Sequence, residues 1–304
     1  MYTTTTNGTL FTDKSMSFLQ ESGFSVVVSL DGPSFVHDKH RKFIDGRGSF
    51  DVVMKGVEHI KSHFPDLYKK LTFNAVINPD SDYKCVSDFF EAETILKDSI
   101  LRSSPVSDVG SKDSMGFDDN YFITYRNEYM KVLLYALGFI SLKNVSKLFV
   151  REFSNFSNFR IKMDICSDIP EISHHGGPCL PGVMRLFVDV NGYFYPCERV
   201  SETSESMRIG HIDTGFDISK AEKLLNIGEL TVNECLECWN LRHCSICAVF
   251  ADKDGTLDRD AKLAYCKRVK NDVESKMRTL CLFREMGIQP TEVTFYEESS
   301  TIPI

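Results

Sequence analysis

No apolar run in the 304 residues approaches the ~18 that a membrane-spanning helix needs, and no signal peptide opens the chain. Both absences point to a cytoplasmic protein, in which cysteines stay reduced and free to bind metal. Basic charge is also scarce: 35 Lys and Arg against 43 Asp and Glu leave a net charge of −8. That argues against nucleic acid as the main partner, because phosphate binding needs a basic face. There is no internal repeat and no low-complexity tract. The rest, 42% hydrophobic and 26% charged over a length sufficient for two cores, is ordinary for globular domains.

The first hundred residues alternate strand and helix. Asn7-Gly8 is a turn signal. A short helix over about 12–21 follows, closed by Gly23 as a left-handed cap. Phe24 to Leu30 is β-branched and almost wholly apolar, as buried parallel strands are, and ends at Asp31-Gly32-Pro33. Phe50, Val53, Val57 and Ile60 then recur at helical spacing. Leu71 to Ile77 is a second strand, broken by Asn78-Pro79, and Asp80 or Ser81 is placed to cap the helix after it. This rhythm predicts a parallel sheet with helices outside, and in such sheets the chemistry gathers at the carboxyl ends of the strands. Those ends carry Asn7, Ser29, Asp31 and Asn78. Residues 103–119 read as a polar loop or hinge, and helices are expected over 121–137, around 145–156 and over 267–286.

What the chain has in plenty is cysteine, concentrated late. Seven of the ten lie from Cys179 to Cys266. Cys235, Cys238, Cys244 and Cys247 form one knuckle, with two, five and two residues between them. Upstream stand Cys179 and Cys197, downstream Cys266. Arg185 to Cys197 reads as a β-hairpin about Asn191-Gly192, where both turn residues can take positive φ. That hairpin folds Cys197 back toward Cys179. Thiolates at such spacings converge on metal. Cys85 and Cys281 lack partners at ligand spacing and read as ordinary buried free thiols. Cys166 stands nearer the cluster of seven.

The order Cys, twelve residues, Gly, four residues, Cys, a gap, then Cys-x2-Cys-x5-Cys, another Cys and a last distant Cys resembles the SPASM domain of radical S-adenosylmethionine (SAM) enzymes that modify ribosomal peptides. The family's knuckle has three residues before its fourth cysteine, whereas this chain has Ser245 and Ile246. Thr6-Asn7-Gly8 is similar to the end of the third strand of the same enzymes' barrel. Ser29-Leu30-Asp31-Gly32-Pro33, His37-Asp38, Arg41 and Gly46-x-Gly48-Ser49-Phe50 are similar to the fourth strand and its loop. The combination looks most like the maturases of Cys-rich peptides, which form thioether links.

This resemblance implies an α/β fold: a partial (β/α) TIM-like barrel lacking its first strands, followed by a small Cys-rich α+β SPASM domain. The implied divisions are 1–105 for the partial barrel, 106–176 for a linker and helical segment, 177–270 for the SPASM domain and 271–304 for a carboxyl-terminal helix and tail. It also implies two [4Fe–4S] auxiliary clusters. Cys235, Cys238, Cys244 and Cys266 would hold one; Cys179, Cys197 and Cys247 would hold the other, its last ligand being Cys166, His174, water or a substrate thiolate, with solvent or substrate as the expected one. Ser29, Asp31 and Arg41 would face SAM, and Glu198 would accept a proton as the catalytic base. The implied partners are a Cys-rich precursor peptide and an electron donor such as a flavodoxin or ferredoxin.

The chain departs from that family in one respect. SAM is cleaved at a cluster held by Cys-x3-Cys-x2-Cys, and the first cysteine here is Cys85. The chain alone is therefore expected not to generate the deoxyadenosyl radical, with SAM bound only when the barrel's amino-terminal part is supplied. Two other readings stand beside the maturase. One is a non-catalytic iron–sulfur module that docks a peptide or passes electrons. The other is a zinc protein built on Cys235, Cys238, Cys244 and Cys247, which leaves three cysteines without a role.

Overall fold

The computed structural model describes residues 2–96, 99–106, 116, 119–164, 177–293 and 295. They fall into two compact units. One holds the described residues within Met1–Ser107, Ser114–Arg160 and Ile288–Ile304, the other those within Ile161–Gly287.

The first unit is a mixed α/β layer. Its elements are β1 (Thr3–Thr6), α1 (Asp13–Glu21), β2 (Ser25–Ser29), α2 (Ser34–His40), α3 (Phe50–His63), the single turn α4 (Pro65–Tyr68), β3 (Leu71–Ile77), α5 (Tyr83–Ala92), β4 (Ile100–Pro105), α6 (Asp119–Ala136) and all but the last turn of α7 (Lys147–Asp164). The four strands are parallel and lie in chain order, β1-β2-β3-β4. Parallel neighbours need a crossover, which explains the helix between each pair. Val26, Val28, Phe73, Ala75 and Ile77 are buried in the sheet, and α3 covers it with Val53, Val57 and Ile60, the stripe its spacing predicts. Thr12 caps α1 through a reciprocal bond with Ser15, and Asp82, rather than Asp80 or Ser81, caps α5.

The fourth strand falls partly in the stretch expected to be a loop. Ile100-Leu-Arg-Ser-Ser-Pro105 has little strand character of its own. Its register on β3, from Thr72↔Ile100 to Ile77↔Pro105, supplies what composition does not. Phe295, in the carboxyl-terminal tail, packs against Tyr135 and Phe153, and Ser157 donates to the Pro290 carbonyl.

In the second unit, β5 (Phe187–Val188), β6 (Tyr193–Tyr195), β7 (Gly210–His211) and β8 (Gly215–Phe216) form an antiparallel sheet in that order. Next come α8 (Ile218–Leu225), α9 (Val232–Leu236), the hairpin β9 (Asp252–Lys253) and β10 (Thr256–Leu257), α10 (Arg259–Ala264) and α11 (Cys266–Glu285). Tyr195, Met207, Ile209, Leu224, Ile227 and Ala251 are its core. The β5–β6 hairpin forms as expected but turns differently. Gly192 has φ +90°, whereas Asn191 does not enter the positive-φ region. The Asp189 carboxylate accepts the amides of Asn191 and Tyr193, so the turn needs only one left-handed residue.

The loop after β2 is closed by Asp38, which accepts the amide of Phe50 (2.9 Å), the first residue of α3. Gly48 makes room for it: a Cβ there would lie 2.1 Å from the Asp38 carboxylate. Gly48→Ala and Asp38→Ala should each cost about 1 kcal/mol, the worth of one cap. In urea melts the double variant should cost no more than the larger single, because both changes remove the same bond.

Candidate metal centres

Cys235 leaves α9, and a run of tight turns follows. Cys238 donates its amide to Cys235 O (3.1 Å), Leu241 to Cys238 O (3.0 Å), His243 to Asn240 O (3.0 Å) and Cys244 to Leu241 O (3.3 Å). Cys266 arrives from the other side as the first residue of α11. Together Cys235, Cys238, Cys244 and Cys266 line a cavity of about 230 Å³. One water needs only about 10–15 Å³ on this scale, so the space suits a group of several atoms. Burial pushes the Cys244 and Cys266 thiols up, and the neighbouring sulfur of Cys235 adds to the rise in both. Metal binding reverses that preference, because a ligating thiol must lose its proton.

The remaining three thiols form a second group. Burial raises Cys247, and the nearby sulfurs of Cys197 and Cys179 raise it further. Cys247 stands just before a 3-10 turn, Ala248–Phe250, and Cys197 just after β6. Cys179 is brought in by a backbone contact: a Cβ on Gly177 would lie 1.8 Å from the carbonyl oxygen of Ile246. Only glycine lets the Gly177–Cys179 segment lie against the knuckle so closely. Among the described residues, no three His, Cys, Asp or Glu side chains close on a single-ion site.

Two further side chains face the four-thiol cavity, and neither stands out in the sequence. Lys262, on α10, is 2% exposed, and Asn240 is 1% exposed. The Lys262 ammonium donates to Ile227 O and Thr231 Oγ1, both at 2.7 Å, and Thr231 Oγ1 lies 3.2 Å from Cys235 Sγ. Asn240 Oδ1 is buried without a hydrogen-bond partner. An alternating charged stretch hides Lys262 among solvated neighbours; its burial depends on where α10 packs.

The remaining cysteines and expected site residues have the following surroundings. Cys166 and His174 lie outside the described residues. Cys281 is exposed and Cys85 half-buried, so neither is the buried thiol expected. Glu198 is about half exposed and pairs with Arg185 at 2.8 Å. Asp31 and Arg41 come together, but as partners of each other. Arg41 Nε and Nη2 bind the two carboxylate oxygens at 2.6 and 3.1 Å, and the Val76 amide donates to Asp31 Oδ1. At 3% exposure both Asp31 oxygens are engaged, which leaves Ser29 and Arg41 Nη1 as the free polar groups of that trio. Beside them, His37 Nδ1 accepts the Asp31 amide (3.3 Å) and Nε2 meets Ser49 Oγ (3.0 Å), which donates to Arg41 O. Burial above all holds His37 below its usual range, Arg41 adding to this and Asp31 opposing it.

Asp31→Asn should destabilise the fold by about 3 kcal/mol, because it leaves a largely buried guanidinium without its anion. Glu198→Gln should stay within about 0.5 kcal/mol, as exposed pairs do. Both are read from chemical denaturation midpoints. Because the folded pKa of His37 is depressed, its contribution is present above the unfolded value near 6.5 and lost as pH falls below it. The stability gap between the native chain and His37→Gln should therefore narrow from pH 7 to pH 5.

No family model matches the chain. It is 47% identical over 58 residues to the serine-type anaerobic sulfatase-maturating enzyme of Bacteroides thetaiotaomicron, a stretch that is 19% of this chain and 14% of that enzyme. It is 23% identical over 252 residues to the cysteine-type anaerobic sulfatase-maturating enzyme of Clostridium novyi, covering 81% of this chain and 62% of that enzyme. The chain thus spans less than two thirds of either relative. Among solved structures, the native enzyme anSMEcpe with bound AdoMet and Cp18Cys peptide superposes with a TM-score of 0.59 at 19% identity, over 94% of this chain and 76% of that one. These two relatives are sulfatase-maturating enzymes, where the resemblance pointed most closely to maturases of Cys-rich peptides. Local sequence identity makes this chain similar to anaerobic sulfatase-maturating enzymes, and its fold is similar to that of anSMEcpe.

Proposed function

We propose that the chain holds two [4Fe–4S] auxiliary clusters and serves a radical SAM enzyme that modifies a peptide or protein substrate. The sorting of the thiols carries this reading. Four surround one cavity and three lie together beside it in sequence, although Cys244 and Cys247 are only three positions apart. The donor set fits: thiolates are the ligands of such clusters, and the cavity has space beyond a single ion. When bound, clusters of this kind supply one-electron transfer. The chain's part is to fix the thiols and exclude water, with the buried amide of Asn240 in the wall.

The three-thiol group leaves one ligand to come from outside it, which we assign to solvent or a substrate thiolate. A cysteine-bearing peptide is the partner that best matches such a vacancy in the ligand set, and a flavodoxin or ferredoxin is the matching donor class. For SAM, the chain offers Ser29 and Arg41 Nη1 at the end of β2 and its loop. Cleavage of SAM calls for a further cluster on a Cys-x3-Cys-x2-Cys run, which these 304 residues do not contain. Glu198 as base gains nothing from its surface ion pair.

Iron, acid-labile sulfide and zinc counted per chain after anaerobic reconstitution test the reading. About eight irons and eight sulfides are expected, four of each per cluster. Gly177→Ala should push Cys179 off Ile246 and, like Cys197→Ser, lower both counts to about four. One zinc with no sulfide would overturn the proposal in favour of a structural zinc module.

A further inference from the structure

Lys262 is a buried cation without a carboxylate. Its ammonium has three hydrogens, and two go to neutral oxygens, Ile227 O and Thr231 Oγ1. Glu234, the acidic neighbour, is held by Arg259 instead. The other charges around Lys262 are the sulfurs of Cys235, Cys244 and Cys266. A buried ammonium with no counter-ion costs several kcal/mol, so a site that keeps one has an anion to meet it. Among the described residues, Glu234 acts on Lys262 less than the three sulfurs do, so the anion that meets it is the thiol group with whatever it holds.

The hydrogen bonds point the same way. Thr231 Oγ1 accepts from Lys262, which has no acceptor of its own, so the threonine hydrogen is left for Cys235 Sγ at 3.2 Å. The cation therefore reaches one thiol sulfur through a hydroxyl and lines the cavity, with two acceptors for its three hydrogens among the described residues.

We infer that Lys262, with Thr231, is the built-in counter-charge of the four-thiol centre and sets how readily that centre accepts an electron. Lys262 is a positioning and tuning residue, not a ligand. The inference rests on the two-cluster reading above. Its physical basis is that net charge and hydrogen bonds to sulfur govern cluster potentials. A fixed positive charge in a low-dielectric wall favours the reduced, more negative state.

The test is a redox titration of the reconstituted chain followed by electron paramagnetic resonance. Of the two waves, one should move to more negative potential in Lys262→Met, and the other should stay. The ratio of reduced to oxidised centre at fixed poise should fall about tenfold, a shift of about 59 mV for one electron. Lys262→Arg should restore the wave, and Thr231→Val should give a smaller shift of the same sign. If Lys262→Met loses half its iron, Thr231→Val still decides. Full iron with both waves unmoved in Lys262→Met, or in Thr231→Val where Lys262→Met has lost iron, overturns the role of Lys262 and leaves the clusters in place. No iron or sulfide on the native chain overturns both.

Discussion

Thiolates gathered in a protein interior repel one another, and the second unit is arranged around that difficulty. Burial and neighbouring sulfurs both press Cys244, Cys247 and Cys266 to keep their protons. Such a gathering persists only where the backbone imposes it. Short i→i+3 turns between Cys235 and Cys244 do so for one group. For the other, a side-chain-free residue pressed onto the Ile246 main chain does so. The core of Tyr195, Met207 and Ile209 holds the hairpin that carries Cys197, and the Tyr195 hydroxyl is secured by the Glu202 carbonyl.

The first unit meets the opposite problem, that of holding an irregular loop at the end of a strand. Asp31, Arg41, His37 and Ser49 are joined by hydrogen bonds in which each donor meets an acceptor. Asp31 also takes the Val76 amide, so the clamp extends into β3. Residues that look available to a ligand in the sequence are thus used on one another. A carboxylate at a strand end suits ribose and guanidinium equally, and the guanidinium ten positions away reaches it first.

Much of this was legible in the sequence. The stripe Val53, Val57, Ile60 and the run Leu71–Ile77 gave their elements directly, because period and β-branching act locally. Cysteine spacing by itself puts Cys235, Cys238, Cys244 and Cys247 in one knuckle; the division that sets Cys247 apart came from the resemblance, not from the spacing. Strand β4 was hidden because its pairing, not its composition, makes it a strand. Lys262 was hidden for a related reason: nothing in Asp-Arg-Asp-Ala-Lys262 says which charge turns inward. Cys281 and Cys85 misled because a cysteine without partners is read as buried by habit, while α11 and α5 leave theirs accessible.

The knuckle serves both thiol groups, and only Ser245 and Ile246 separate Cys244 from Cys247. Three residue steps reach at most about 11 Å, so the Cα atoms of Cys244 and Cys247 stay within that span whatever else moves. Ile246 is also the residue against which Gly177 lies. Ile246 is therefore at once part of the spacer between the two thiol groups and the seat of the Gly177 segment. A disturbance at either thiol group has a covalent route of two residues to the other, and if each group holds a cluster as proposed, electrons exchanged between them would cross a gap that this short spacer limits.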